Sequence, residues 1–137
     1  MIFRAFREAL LLCLLAAAPA GITAFRELKW RPATPLSAGE VRASDARAWG
    51  EKVLWVDARA ESKFARKHIP GALPLAPDRW DAQVSGFLDA WDPEKRVIVY
   101  GESGGDSAAT VALRLREELK IAEVWTLHDG FEGWEHR

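Results

Sequence analysis

Val97-Ile98-Val99-Tyr100-Gly101-Glu102-Ser103-Gly104-Gly105-Asp106-Ser107 joins an apolar run to a glycine-bearing loop and then to a helical pattern. The apolar run is too short for a helix and rich in strand formers, so residues 96–100 read as a buried strand. From Ser107 to Leu119 the residues Ala109, Val111, Ala112, Leu115 and Leu119 recur on one helical face, while Arg114, Arg116, Glu117 and Glu118 fall mostly on the solvated side. A loop between a buried strand and a helix aims its backbone N–H groups at one spot, and α/β proteins put an anion or a nucleophile there. Residues 101–107 contain no cysteine and no basic side chain.

Outward from this stretch the same alternation repeats. Val53-Leu54-Trp55-Val56 predicts a second buried strand ending at Asp57, and residues 61–67 make two helical turns that Ile69-Pro70-Gly71 stops. Residues 72–75 predict a brief strand that Pro74 places near a sheet edge. Asp78 is expected to cap a helix carrying Trp80, Val84, Phe87, Leu88 and Trp91 at spacings of three and four. Residues 123–127 predict a last strand and residues 131–136 a terminal turn of helix. At the other end, Ser37-Ala38-Gly39-Glu40 has the spacing of a capping box, so a helix is expected from Ser37 to about Trp49. Strands alternating with helices through short loops imply an α/β fold: one parallel sheet with helices on both faces. Sites in such sheets form at the carboxyl ends of the strands. That rule collects Asp57 and Arg59, the loop from Gly101 to Asp106, and His128, Asp129 and Gly130 on one rim.

The chain's 137 residues suffice for one domain with a real core and are too few for two. Hydrophobic residues at 49% and charged residues at 28% give a globular balance. A net charge of −1 offers no excess of cations for a nucleic acid partner. Trp49, Trp55, Trp80, Trp91, Trp125 and Trp134 fall in or beside predicted elements, where large rings fill a core. Cys13, the only cysteine, lies in the N-terminal apolar run, so no thiol is available to the folded part. His68, His128 and His136 show no metal-site spacing, and neither a metal nor a cofactor is indicated.

Residues 1–25 read as a signal or membrane anchor: Arg4 and Arg7, then a charge-free run from Ala9 to Phe25 with the small residues Ala18-Pro19-Ala20. An uncleaved anchoring helix is the first reading, a cleaved export signal the second, and a buried soluble helix the third. Under the first two the domain faces the outside or the periplasm, and the membrane is a partner through the N-terminal helix. Residues 26–36, with Pro32 and Pro35, read as a linker, and residues 37–137 as the domain.

Three blocks of residues 37–137 resemble the rhodanese-like (sulfurtransferase) family. Asp57-Ala58-Arg59, Phe64 and His68-Ile69-Pro70-Gly71-Ala72 are similar to the family's D-x-R…F-x-x-x-H-I-P-G-A pattern. The strand, the loop from Gly101 to Ser107 and the following helix match its active-site loop. Val124 to Gly130 followed by Trp134 is similar to its closing strand, turn and tryptophan. The resemblance implies a loop of the pattern C-x-x-G-x-R-S, whose thiolate carries sulfur as a persulfide. Here Gly104 and Ser107 fit, but the nucleophile position is Gly101 and the basic position is Asp106. Glu102 and Asp106 bring negative charge to an anionic donor's place, and unit charges ~5 Å apart at an effective dielectric near 20 repel by roughly 3 kcal/mol before screening. Asp57, Arg59 and His68 are expected to form a buried polar network that supports the loop.

The resemblance to a family whose thiol is missing predicts a catalytically inactive domain that binds or scaffolds, with an unidentified protein as a possible partner. A competing reading takes Gly101-Glu102-Ser103-Gly104-Gly105 as the G-x-S-x-G elbow of a serine esterase, with Asp129 and His128 or His136 as partners of Ser103. The domain is short for that fold, and His128 and Asp129 are adjacent in sequence, which makes a Ser–His–Asp line hard to build. A residual sulfurtransferase-related activity is the remaining alternative.

Overall fold

Two five-residue strands form the centre of the sheet, β2 (Val53–Asp57) and β4 (Arg96–Tyr100), paired in parallel from Val53 opposite Arg96 to Asp57 opposite Tyr100. Their residues alternate between two cores. Leu54, Val56, Val97 and Val99 enter one, while Val53, Ile98 and Tyr100 enter the other. Burial on both faces is why these strands are continuously apolar in sequence. The structure, a computed structural model, describes residues 36–136. The expected N-terminal signal or anchor, Cys13 and the linker as far as Pro35 lie outside the described residues.

The complete sheet has five parallel strands in the order β1-β5-β4-β2-β3, adding β1 (Glu40–Val41), β3 (Leu73–Pro74) and β5 (Val124–Leu127). Helices α3 (Trp80–Ala90) and α4 (Ser107–Glu117) cover one face, contributing Trp80, Phe87, Val111 and Leu115. Helices α1 (Ala43–Ala48), α2 (Glu61–Arg66) and α5 (Gly130–Glu135) cover the other, contributing Ala46, Phe64 and Phe131. The α/β architecture with helices on both faces is the one the sequence predicts. All six tryptophans of the predicted elements join the cores, Trp80 and Trp91 on the first side and Trp49, Trp55, Trp125 and Trp134 on the second. Edge-to-face pairs Trp49–Trp125 and Trp55–Trp134, with centroids 5.7 and 4.9 Å apart, fill the second core. Pro74 sits on the edge strand, where a missing N–H removes no ladder bond.

The expected helix from Ser37 is not formed. Glu40 does reach back to the Ser37 N–H at 2.8 Å, but the same four residues close a turn, with the Glu40 N–H donating to Ser37 O at 3.1 Å. Gly39 takes φ +84°, a left-handed value no α-helix accommodates. The chain therefore leaves the turn as β1, whose outer position beside β5 supplies the fifth strand, and α1 starts only at Ala43. Two further expectations fail on helix ends and faces. Asp78 makes no cap and lies in a short 3₁₀ turn (Pro77–Arg79) that precedes α3. Leu88 and Ala109 are exposed, and Ala108 takes the core position expected of its neighbour.

Candidate functional site

The carboxyl ends of β2, β4 and β5 converge on a single rim, and a buried ion pair stiffens it. Asp57, fully buried at the end of β2, accepts from the Arg59 backbone N–H at 2.9 Å. The Arg59 side chain folds back on the same carboxylate, Nε at 3.0 Å from Oδ1 and Nη2 at 2.7 Å from Oδ2. Nη2 also donates to Lys67 O at 2.7 Å, and the guanidinium lies 3.9 Å above the Phe131 ring. Burial alone would lower the Arg59 pKa, but the hydrogen bonds and charge of Asp57 outweigh it and raise the net value. Tyr100, at the end of β4, accepts the Ile69 N–H at 3.1 Å, and burial pushes its phenol well above the usual range. Asp57, Arg59 and Tyr100 thus bind strand ends, the Ile69-Pro70 turn and α5 into one unit. Such a pair is costly to break, because removing one member leaves a buried charge alone, at about 3–5 kcal/mol.

His68 is not part of this network. It is exposed, stacks on Phe64 with centroids 4.0 Å apart, and its Nδ1 lies 2.8 Å from Phe64 O. The turn needs no histidine in its core because Tyr100 already satisfies the buried Ile69 amide.

The loop from Gly101 to Ser107 begins at the end of β4 and closes with a Gly105 N–H to Glu102 O bond of 3.1 Å. Its base is packed without space. A Cβ at position 101 would lie 2.6 Å from Ser107 Oγ and 3.3 Å from the Ala108 nitrogen. The Ser103 N–H, one of the amides that would face an anion, donates instead to Glu132 Oε2 of α5 at 2.9 Å. Glu102 forms an ion pair with Lys63 of α2. Beside the loop an open cavity of about 340 Å³ is lined by Arg59, Pro77, Asp78, Glu102, Asp106 and Ser107, among others. Arg59 is the only cation lining it and is already held by Asp57, and Glu102 is held by Lys63, so the carboxylates Asp78 and Asp106 set its charge.

The third part of the rim is a turn at Asp129 and Gly130, both at positive φ. Gly130 is pressed against the loop: a Cβ there would lie 2.5 Å from Gly101 O, and the Phe131 N–H donates to that same oxygen at 2.9 Å. His128 lies between Glu40, 3.5 Å from Nδ1, and Asp129, 3.6 Å from Nε2. Glu40 is held below the ordinary glutamate range by the Ser37 N–H, with His128 adding to the effect. No histidine bonds to the Ser103 hydroxyl among the described residues, so the esterase line of Ser103, His128 or His136, and Asp129 is not assembled.

The sequence model of the Rhodanese-like domain matches residues 41–137. The chain belongs to the rhodanese-like domain family. Solved structures agree on the fold. BH2092 from Bacillus halodurans superposes with a TM-score of 0.59 at 19% identity, over 86% of this chain and 80% of that one. Alr3790 from Anabaena sp. gives 0.55 at 21% identity, over 69% and 75%. SseA from Escherichia coli, a structure of the rhodanese fold of 3-mercaptopyruvate sulfotransferases, gives 0.58 at 21% identity. The match spans 72% of this chain and about half, 48%, of SseA. A comparison with curated proteins finds no match.

Within this rhodanese-like domain the loop, Asp57, Arg59 and Gly130 come together as the sequence predicts. Lys63 and Glu132, which clamp the loop from α2 and α5, are not visible in sequence, since nothing local distinguishes them from solvated helix charges. The only hint was position: Glu132 falls in the first turn after the rim glycine, Gly130.

Proposed function

We propose that this rhodanese-like domain is silent in sulfur transfer and serves as a binding or scaffolding module at the membrane surface or in the periplasm. The observation that carries the reading is the packed base of the loop: residue 101 bears no side chain, and Ser107 Oγ sits where its Cβ would need clearance. A sulfane carrier requires a thiolate at that point, stabilised by free amides and a nearby cation. The loop instead offers an amide bonded to Glu132, the carboxylates Glu102 and Asp106, and a Lys63 engaged with Glu102. Ser103 and Ser107 are hydroxyls and cannot store sulfur as a persulfide.

Full-length chain assayed with thiosulfate and cyanide is expected to give no turnover above the protein-free rate, and a clear turnover would overturn the reading. Gly101→Cys alone is expected to restore little, since Ser107 must rotate away and Asp106 remains. Gly101→Cys combined with Asp106→Arg is expected to do better by about a hundredfold or more, since removing roughly 3 kcal/mol of repulsion at an effective dielectric near 20 is alone worth about two decades before screening.

The location rests on the basic, then charge-free, pattern of residues 1–25. Mass spectrometry of the mature protein from a membrane fraction is expected to return the uncleaved chain, and loss of the first 20 residues would replace the anchor with an exported form.

A further inference from the structure

On the face opposite α3 and α4, two open cavities of about 310 and 260 Å³ share Lys67, Phe131 and Glu135 and so form one groove between α2 and α5. The first is completed chiefly by Arg47, His68 and Trp134, the second by Arg59, Lys63 and Arg66. The groove therefore has an aromatic floor and cationic walls. Two of its guanidinium groups lie flat on that floor, Arg47 4.1 Å above Trp134 and Arg59 3.9 Å above Phe131. Stacking leaves the edges of Arg47 open, apart from one bond to Trp134 O at 2.5 Å.

The charges do not balance. Arg59 is neutralised by Asp57, and Lys63 by Glu102. Glu135, the only carboxylate lining the groove, pairs with Lys67. Arg47 and Arg66 have no carboxylate partner among the described residues. A surplus of two cations over aromatic rings sits in a chain whose net charge is −1. The Lys67–Glu135 pair crosses the groove where both cavities meet. Its side chains are 69% and 37% exposed, and a pair so hydrated contributes little and exchanges readily.

We propose that this groove binds an acidic, apolar-bearing peptide segment of a partner protein, and that Glu135 holds the position a ligand carboxylate takes. Carboxylates of the segment engage Arg47, Arg66 and Lys67, and its apolar side chains rest on the exposed His68 and Pro70 at the groove's open end, since Phe131 and Trp134 are already covered by guanidinium groups. A flat bilayer suits the site less well, because the unpaired cations line a concavity between two helices and not a flat face. The groove lies outside the loop, so the proposal stands or falls separately from the sulfur-transfer reading.

The test is fluorescence polarisation with the full-length chain and a short labelled peptide of alternating glutamate and leucine. Binding is expected, weakened at least tenfold by Arg66→Glu with Lys67→Glu and tightened several-fold by Glu135→Gln, while the lysine–leucine counterpart does not bind. The Glu135 variant guards against a folding artefact, since a misfolded chain does not gain affinity. Absence of binding, or equal binding by all three proteins, overturns the proposal. So does a preference for phosphatidylserine over phosphatidylcholine vesicles that the double substitution removes while the peptide stays unbound.

Discussion

Tyr100 illustrates how much one side chain can report. It is the only tyrosine of the chain, is fully buried at the end of β4, and accepts the Ile69 amide while lying 5.5 Å from the Arg59 guanidinium carbon. Burial is the main reason its phenol resists ionisation, with the nearby Asp57 adding to it and the Ile69 bond opposing it. A folded pKa above the unfolded value of 10.0 means that the native state holds the proton more tightly. Its contribution to stability is therefore complete below pH 10 and is lost as pH rises through the folded value. Tyrosinate absorbance near 295 nm is expected to stay absent in the folded protein above pH 10 and to emerge only with alkaline unfolding. Gradual ionisation with the fold intact would contradict the burial. Tyr100→Phe is expected to remove this alkaline dependence, at the cost of an unsatisfied Ile69 N–H worth about 1–3 kcal/mol. The same scale explains His68: the sequence places it beside the buried pair, yet a neighbouring phenol satisfies the turn and leaves the imidazole outside.

At the scale of elements, the junction between β5 and α5 holds the loop from Gly101 to Ser107 in place. Gly130 combines φ +58° with a backbone approach that leaves no room for a Cβ beside Gly101 O. Gly130→Ala is expected to cost roughly 2–4 kcal/mol, from the left-handed conformation together with the overlap, and to shift the amide resonances of residues 101–103. A loss under half a kcal/mol would mean that the turn yields freely. Strands β2 and β4 were legible in sequence because doubly buried strands carry unbroken apolar runs. The two-residue strand β1 was not, since its pairing is supplied entirely by β5. The capping-box pattern at Ser37 was chemically right about its hydrogen bond and wrong about its structure, because Gly39 turned the chain before a helix could start. The loop's place in the fold was readable from its flanking elements. Its closure by Lys63 and Glu132 was not, since both reach it from helices distant in sequence.

For the whole molecule, the order β1-β5-β4-β2-β3 gives β4 and β2 neighbours on each side and a core on each face, while β1 and β3 are two-residue edges. Hydrogen exchange is expected to be slowest at residues 97–99, opening only with global unfolding, and markedly faster in β1 and β3. Comparable protection across all five strands would contradict this layering. The same order makes the first strand described the partner of the last: Glu40 and Val41 align with Thr126 and Leu127. A nascent chain that has emerged only as far as α4 has nothing for its opening strand to join, and β4 keeps a bare flank toward β5. Completion of the sheet thus waits for residues 124–127, so the order of synthesis leaves the central strand β4 without its full set of neighbours until the last strand is made.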